Sequence, residues 1–109
     1  MNMSDRELLR MAAKAAGISF FVDSRGREMQ MHGGLMPAQW NPLTDDGDAL
    51  RLAVKLQLDL SLGHAGASVK IWGRRVIADE LCHPDSGEDL ACARRAIVRA
   101  AAEIGRAME

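Results

Sequence analysis

Residues 40–57 read WNPLTDDGDALRLAVKLQ, and the reading of this run decides the fold. Asn41 precedes Pro42, and the residue before a proline is pushed out of the helical region. Thr44 is expected to cap the helix that follows, its hydroxyl accepting from a free backbone N–H two or three residues on. Asp45, Asp46 and Asp48 then fill the first turn, where carboxylates meet the positive end of the helix dipole. Gly47 costs about 1 kcal/mol against alanine in a helix, so packing has to hold this element together. Its apolar residues are Ala49, Leu50, Leu52, Ala53, Val54 and Leu56, a set wider than one stripe. The expectation is a well-buried helix at the centre of the fold, with Arg51 and Lys55 on its wet side and Trp40 covering its start. The acidic cluster lacks the alternating oxygen ligands and the distal glutamate of a calcium loop, so helix capping is its reading and no metal is assigned.

Working outward, Ser4 with Glu7 three residues later forms a capping box, and Gly17 supplies a left-handed stop. That predicts a helix over 5–16, with Leu8, Met11, Ala12 and Ala15 at helical spacing. Residues 18–22 alternate, Ile18, Phe20 and Val22 on one side and Phe21 on the other, as a strand does. Asp23–Gly26 has turn chemistry, and 27–31 returns as a second strand with Met29 and Met31 inward. Residues 35–39, with Pro37, read as a loop. Beyond the central helix, Leu58, Leu60 and Leu62 alternate with Asp59 and Ser61. Residues 63–66 turn the chain, 68–72 form the returning strand, and 75–79 form one more short strand. Asp85 or Ser86 caps a last helix whose inward stripe is Leu90, Ala93, Ile97, Ala101 and Ile104, with Arg94, Arg95, Arg99 and Arg106 elsewhere on its surface.

The order is α-β-β-α-β-β(-β)-α. It makes a single α+β layered domain spanning 1–109, a mainly antiparallel sheet packed by three helices on one face. Phe21 and Trp72 fall on the other face and are candidate partner contacts. At 109 residues the chain buries a core without staples. Aromatics are only 4%, so alanine, leucine and the seven methionines must fill that core, which favours helices.

A net charge of −1 argues against bulk electrostatic attraction to nucleic acid. No apolar run approaches the roughly 20 residues that span a bilayer, so no membrane partner is expected. The opening MNMSDRELLR has no apolar signal core. Cys82 and Cys92 form no disulfide framework and read as free thiols in a cytoplasmic setting. Cys82, His83 and Cys92 match no zinc-ligand spacing, and His32, His64 and His83 are scattered over separate segments. There is no glycine–x–serine–x–glycine elbow and no phosphate-cradling glycine loop. With no catalytic constellation and no cofactor signature, a non-enzymatic role is favoured.

The central run, from Trp40-Asn41-Pro42-Leu43-Thr44-Asp45-Asp46-Gly47-Asp48-Ala49-Leu50 to Leu52, Val54, Lys55 and Leu56, resembles the phage α-β-α sandwich domain family. These are small bacteriophage and prophage proteins of uncharacterised function. The opening Asp5-Arg6-Glu7-Leu8-Leu9 with Ala12–Gly17 and the closing Ala93–Ala101 extend the resemblance over most of the chain. It implies phage or prophage origin, a host-cytoplasm location and a three-layer fold. It carries over no catalytic residue.

The leading expectation is therefore a protein-binding module that acts on a host or phage protein, modulation of a host defence being one version. The candidate contacts are Phe21, Trp40, Trp72, Arg95 and Arg99. An alternative is a small enzyme or ligand-binding domain with a pocket near Trp40–Asp48. A further one is nucleic-acid binding through the arginines of the last helix. An edge strand also offers a route to a homodimer.

Overall fold

In the computed structural model, residues 3–32, 36–63, 66–71, 76–81 and 89–108 are described. The first helix, α1 (Asp5–Ala16), starts where the capping box places it. The Ser4 hydroxyl accepts from the Glu7 N–H at 3.2 Å. It stops at Gly17, whose φ of 70° is the left-handed conformation that suits a residue without a Cβ. Next come β1 (Phe20–Val22), β2 (Glu28–His32) and β3 (Met36–Gln39), then α2 (Asp46–Lys55). The chain continues through β4 (Leu58–Gly63), β5 (Gly66–Ile71) and β6 (Val76–Leu81) to α3 (Asp89–Ala107). The class is α+β and all strand pairing is antiparallel.

The strands divide into two three-stranded sheets, β1-β2-β3 and β4-β5-β6, where one sheet was expected. The segment expected to be a loop supplies β3, which includes Pro37. Proline fits there because β3 is an edge strand, where a missing N–H leaves no ladder bond unmade. Register also corrects the first hairpin. Met29 is buried, as expected of an inward residue, and it sits opposite Phe21, so the Phe21 side of the hairpin is the one that turns inward there. Met31 is exposed.

The centre of the molecule is α3, not α2. Ala96, Ile97, Val98, Ala100, Ala101, Ala102 and Gly105 are all buried, a set that runs round most of the helix. It contacts α1, α2 and all three strands of the second sheet. A Cβ at Gly105 would collide with the Met11 carbonyl, so α1 and α3 approach to backbone contact there. Ala12, Ala13 and Ala16 of α1 are buried in the same core, and small side chains are what permit so close an approach. Of the expected α3 stripe, Ile97 and Ala101 are buried and Leu90 is exposed. The residues proposed as its cap, Asp85 and Ser86, lie outside the described residues.

The second sheet turns Ala67 and Val69 into the core, with Leu58 and Leu60 packed against it. Its other face carries Asp59, Ser61, Ser68 and Lys70, with Asp59 and Lys70 paired at 3.7 Å. Among the described residues, helices cover one face of this sheet. The alternation in the sequence required that, whereas a sandwich would cover both.

Candidate functional site

The turn before α2 is a hydrogen-bonded frame built on Asn41. Its side-chain oxygen accepts from the Leu43 N–H at 3.0 Å, and its carbonyl accepts from the N–H groups of Thr44 and Asp45 at 3.1 and 2.9 Å. This tight turn delays the helix by one residue relative to the sequence expectation. Asp45 is the N-cap, its carboxylate accepting from the Asp48 N–H at 2.8 Å, while the Thr44 hydroxyl donates back to the Asn41 carbonyl. Pro42 is fully buried and Trp40 is 3% exposed. The Trp40 ring meets Phe20 edge to face at 5.8 Å. Trp40 is thus a core residue that anchors the start of α2, and it offers almost no surface to a partner.

The carboxylates around this turn point into the frame. Asp48, 8% exposed, accepts from the Asn41 N–H at 2.9 Å and from Arg51 at 2.7 Å. The bond to Asp48, with the charges of Asp48 and Asp45, raises the already high pKa of Arg51, so this side chain is a fixed cation. Asp46 is held by Arg94 of α3 at 2.6 Å, and the same guanidinium donates to the Leu43 carbonyl at 2.8 Å. Each of the three aspartates has a structural partner. Among the described residues, no group of three or more His, Cys, Asp or Glu is arranged to hold a metal ion.

The arginines of α3 are similarly engaged. Arg95 meets Asp5 at the start of α1 at 3.4 Å, and Arg106 meets Glu103 at 2.7 Å. Arg99 is exposed and also has an interaction within the protein. Neighbouring arginines therefore fasten the acidic starts of α1 and α2 to α3. This use of the guanidinium groups weakens the reading of the helix as an open phosphate-binding face.

Phe21 is half-buried opposite Met29. Trp72 lies outside the described residues, as do Cys82, His64 and His83. Cys92 is disulfide-bonded, which corrects the expectation of a free thiol at this position and removes it as a nucleophile or zinc ligand. With Trp40 buried, the structure leaves it out of any surface shared with Phe21, Arg95 and Arg99.

What it presents instead is the outer side of α2. Leu50 and Val54 are 61% and 69% exposed, four residues apart and so on one side of the helix. The buried side is Asp48, Ala49, Leu52 and Ala53. This corrects the expectation of a well-buried α2. The signal was present in the sequence: Leu50 and Val54 each adjoin a basic residue and fall opposite the Ala49–Leu52–Ala53 side at 100° per residue. On another side of α2, where Arg51, Leu52 and Lys55 line it, a cleft of about 470 Å³ opens between the end of α1, β2 and α2. Ile18, Met31, Trp40 and Leu52 give it apolar walls, and Arg51 and Lys55 give it a cationic rim.

Comparison of the chain with family models, curated proteins and solved structures yields no match.

Proposed function

We propose that this chain is a small non-catalytic protein-binding module of phage or prophage origin, acting on a host or phage protein through the outer face of α2. The observation that carries this is the bare pair Leu50 and Val54 beside the cations Arg51 and Lys55. Isolated exposed apolar residues are ordinary. Two at i and i+4 on one helical face, with cations beside them, are the anchors that a partner's groove takes. The complementary partner presents apolar side chains flanked by carboxylates. The origin rests on the sequence resemblance alone. The cytoplasmic reading meets an opposing observation, because a disulfide at Cys92 suits an oxidising compartment better than a reducing one. Among the described residues, no helix is long and apolar enough to cross a membrane.

The test is a quantitative pull-down with the wild type and with Leu50→Gln/Val54→Gln. A stoichiometric protein partner held by the wild type and lost by the variant is the expected result. A partner held equally by both would remove α2 from the proposal, and retrieval abolished by nuclease would replace it with nucleic-acid binding.

The cleft supports a second reading, a ligand-binding domain for a small anion with an apolar body. Such a ligand shifts the amide resonances of Ala16–Ser19 and loses affinity in Lys55→Ala. A binder that leaves those resonances unmoved does not use this cleft.

A further inference from the structure

Among the described residues strand β4 is an edge: β5 pairs with one side of it and no described strand with the other. Gly63 and Gly66 are paired across a two-residue connection, so in a hairpin of this length they form a hydrogen-bonded pair. Such pairs recur at every second residue. Ser61 with Ser68, and Asp59 with Lys70, therefore exchange the ladder bonds with β5. The peptide groups of Leu58, Leu60 and Leu62 face the open side. Among the described residues, no further backbone hydrogen bond is made by these three leucines. Leu58 and Leu60 pack against the core, but Leu62, on the same face, is 64% exposed.

An unpaired edge with an exposed leucine is a template for another strand. The sequence of β4 specifies which strand fits. Its three leucines are symmetric about Leu60, and Asp59 and Ser61 are the residues that flank it. We propose that β4 pairs antiparallel with β4 of a second copy about a two-fold axis through Leu60, joining the two three-stranded sheets into one. In that register Leu60 faces Leu60 of the second copy, Leu58 faces Leu62, and Asp59 faces Ser61. All leucines stay on the helix-covered face, and Leu62 gains a neighbour. A shift of one residue puts each leucine opposite the wrong face of the partner strand. A shift that centres the axis on Asp59 sets two carboxylates against each other. A shift to Ser61 leaves Leu58 unpaired. The pattern therefore selects one register for self-pairing, and β4 of a second copy satisfies it at every position. The inference does not depend on the role assigned to α2.

Sedimentation equilibrium of the full chain over a wide concentration range reads the outcome. The wild type is expected to form a concentration-dependent dimer. Leu60→Pro removes an outward N–H while sparing the bonds to β5, and proline is tolerated on an edge strand, so this variant is expected to be a monomer with a native spectrum. Ser61→Glu places like charges across the axis twice and Ser61→Lys places opposite charges there. The dimer dissociation constant is expected to rise about 2- to 30-fold in the first and fall in the second, from the usual size of cross-strand charge pairs. Ser61 is exposed, so both of these variants keep the fold and decide the matter even if Leu60→Pro does not fold. A wild type that stays monomeric throughout overturns the proposal. So does a dimer indifferent to the sign of the charge at residue 61.

Discussion

Helices α1 and α2 both start on a capping side chain, Ser4 and Asp45, and both carry carboxylates in the first turn. Both are met there by an arginine of α3, Arg95 at Asp5 and Arg94 at Asp46. From those matched starts they diverge. On α1, Leu8, Leu9, Ala12, Ala13 and Ala16 are all buried, and the helix lies against α3 to the point of backbone contact at Gly105. On α2, Ala49, Leu52 and Ala53 are buried while Leu50 and Val54 stand in solvent. Apolar content does not separate the two helices. The separating feature is what each neighbour allows, because only small residues let two helices approach so closely. The first pair is the structural base of the domain, and the second helix carries apolar surface that folding leaves unused.

That contrast is broken most severely at the helix crossing. Gly105→Ala forces the new methyl into the Met11 backbone, and the expected loss is about 3 kcal/mol or more, as for overpacking that side-chain rotation cannot relieve. Urea unfolding measures it, and a loss under 1 kcal/mol would show that α1 and α3 do not meet as described.

The clamp on α2 comes next. Arg94→Ala removes the donor to the Leu43 carbonyl and the partner of Asp46, at an expected cost of about 1–2 kcal/mol. Much of that loss should come from the carbonyl, because Asp46 is largely exposed. Asp46→Ala is therefore expected to be milder than Arg94→Ala. The reverse order would show that the ion pair, rather than the carbonyl bond, fastens α2.

A smaller effect belongs to the first hairpin, outside both helices. The Asp23 carboxylate accepts from the Arg27 N–H at 2.9 Å, the Arg25 N–H at 3.0 Å and the Arg27 side chain at 2.8 Å. The backbone bond from Arg27 is the main reason its pKa lies below the ordinary aspartate value. A folded pKa below the unfolded one means that the group's contribution is fully present above the unfolded value and is lost as pH falls through the folded one. Carbon-detected NMR should give an Asp23 midpoint below 3.8, with the turn loosening at that midpoint while α1 and α3 stay intact. A midpoint at or above the ordinary aspartate value contradicts the hydrogen-bond assignment.

Much of this architecture was legible in the chain. Local chemistry marks α1, because Ser4, Glu7 and Gly17 satisfy orphan backbone groups whatever lies nearby. Strict alternation marks β4 and the strand that returns from it. Four features escaped for physical reasons. Strand β3 was hidden by Pro37, which argues against a central strand and says nothing against an edge. The cap moved from Thr44 to Asp45 because Asn41 uses its carbonyl and side chain to build a turn first, and that competition is settled only in three dimensions. The burial of α2 was overestimated because counting apolar residues does not reveal which sides have neighbours. The central place of α3 was missed for the converse reason, since alanine and glycine form no conspicuous stripe. The candidate site fared least well. Trp40 stood out by residue type yet lies in the core, while Leu50 and Val54 resembled core residues and lie outside.

The most direct measurement is the unfolding free energy of Leu50→Gln/Val54→Gln by urea denaturation. Both residues face solvent, and glutamine is a helix former at least as good as valine. The expected change is within about 0.5 kcal/mol of the wild type, the range for surface positions. A loss above about 2 kcal/mol, the size of a core truncation, would mean that this face of α2 is packed within the folded monomer and is no surplus surface at all.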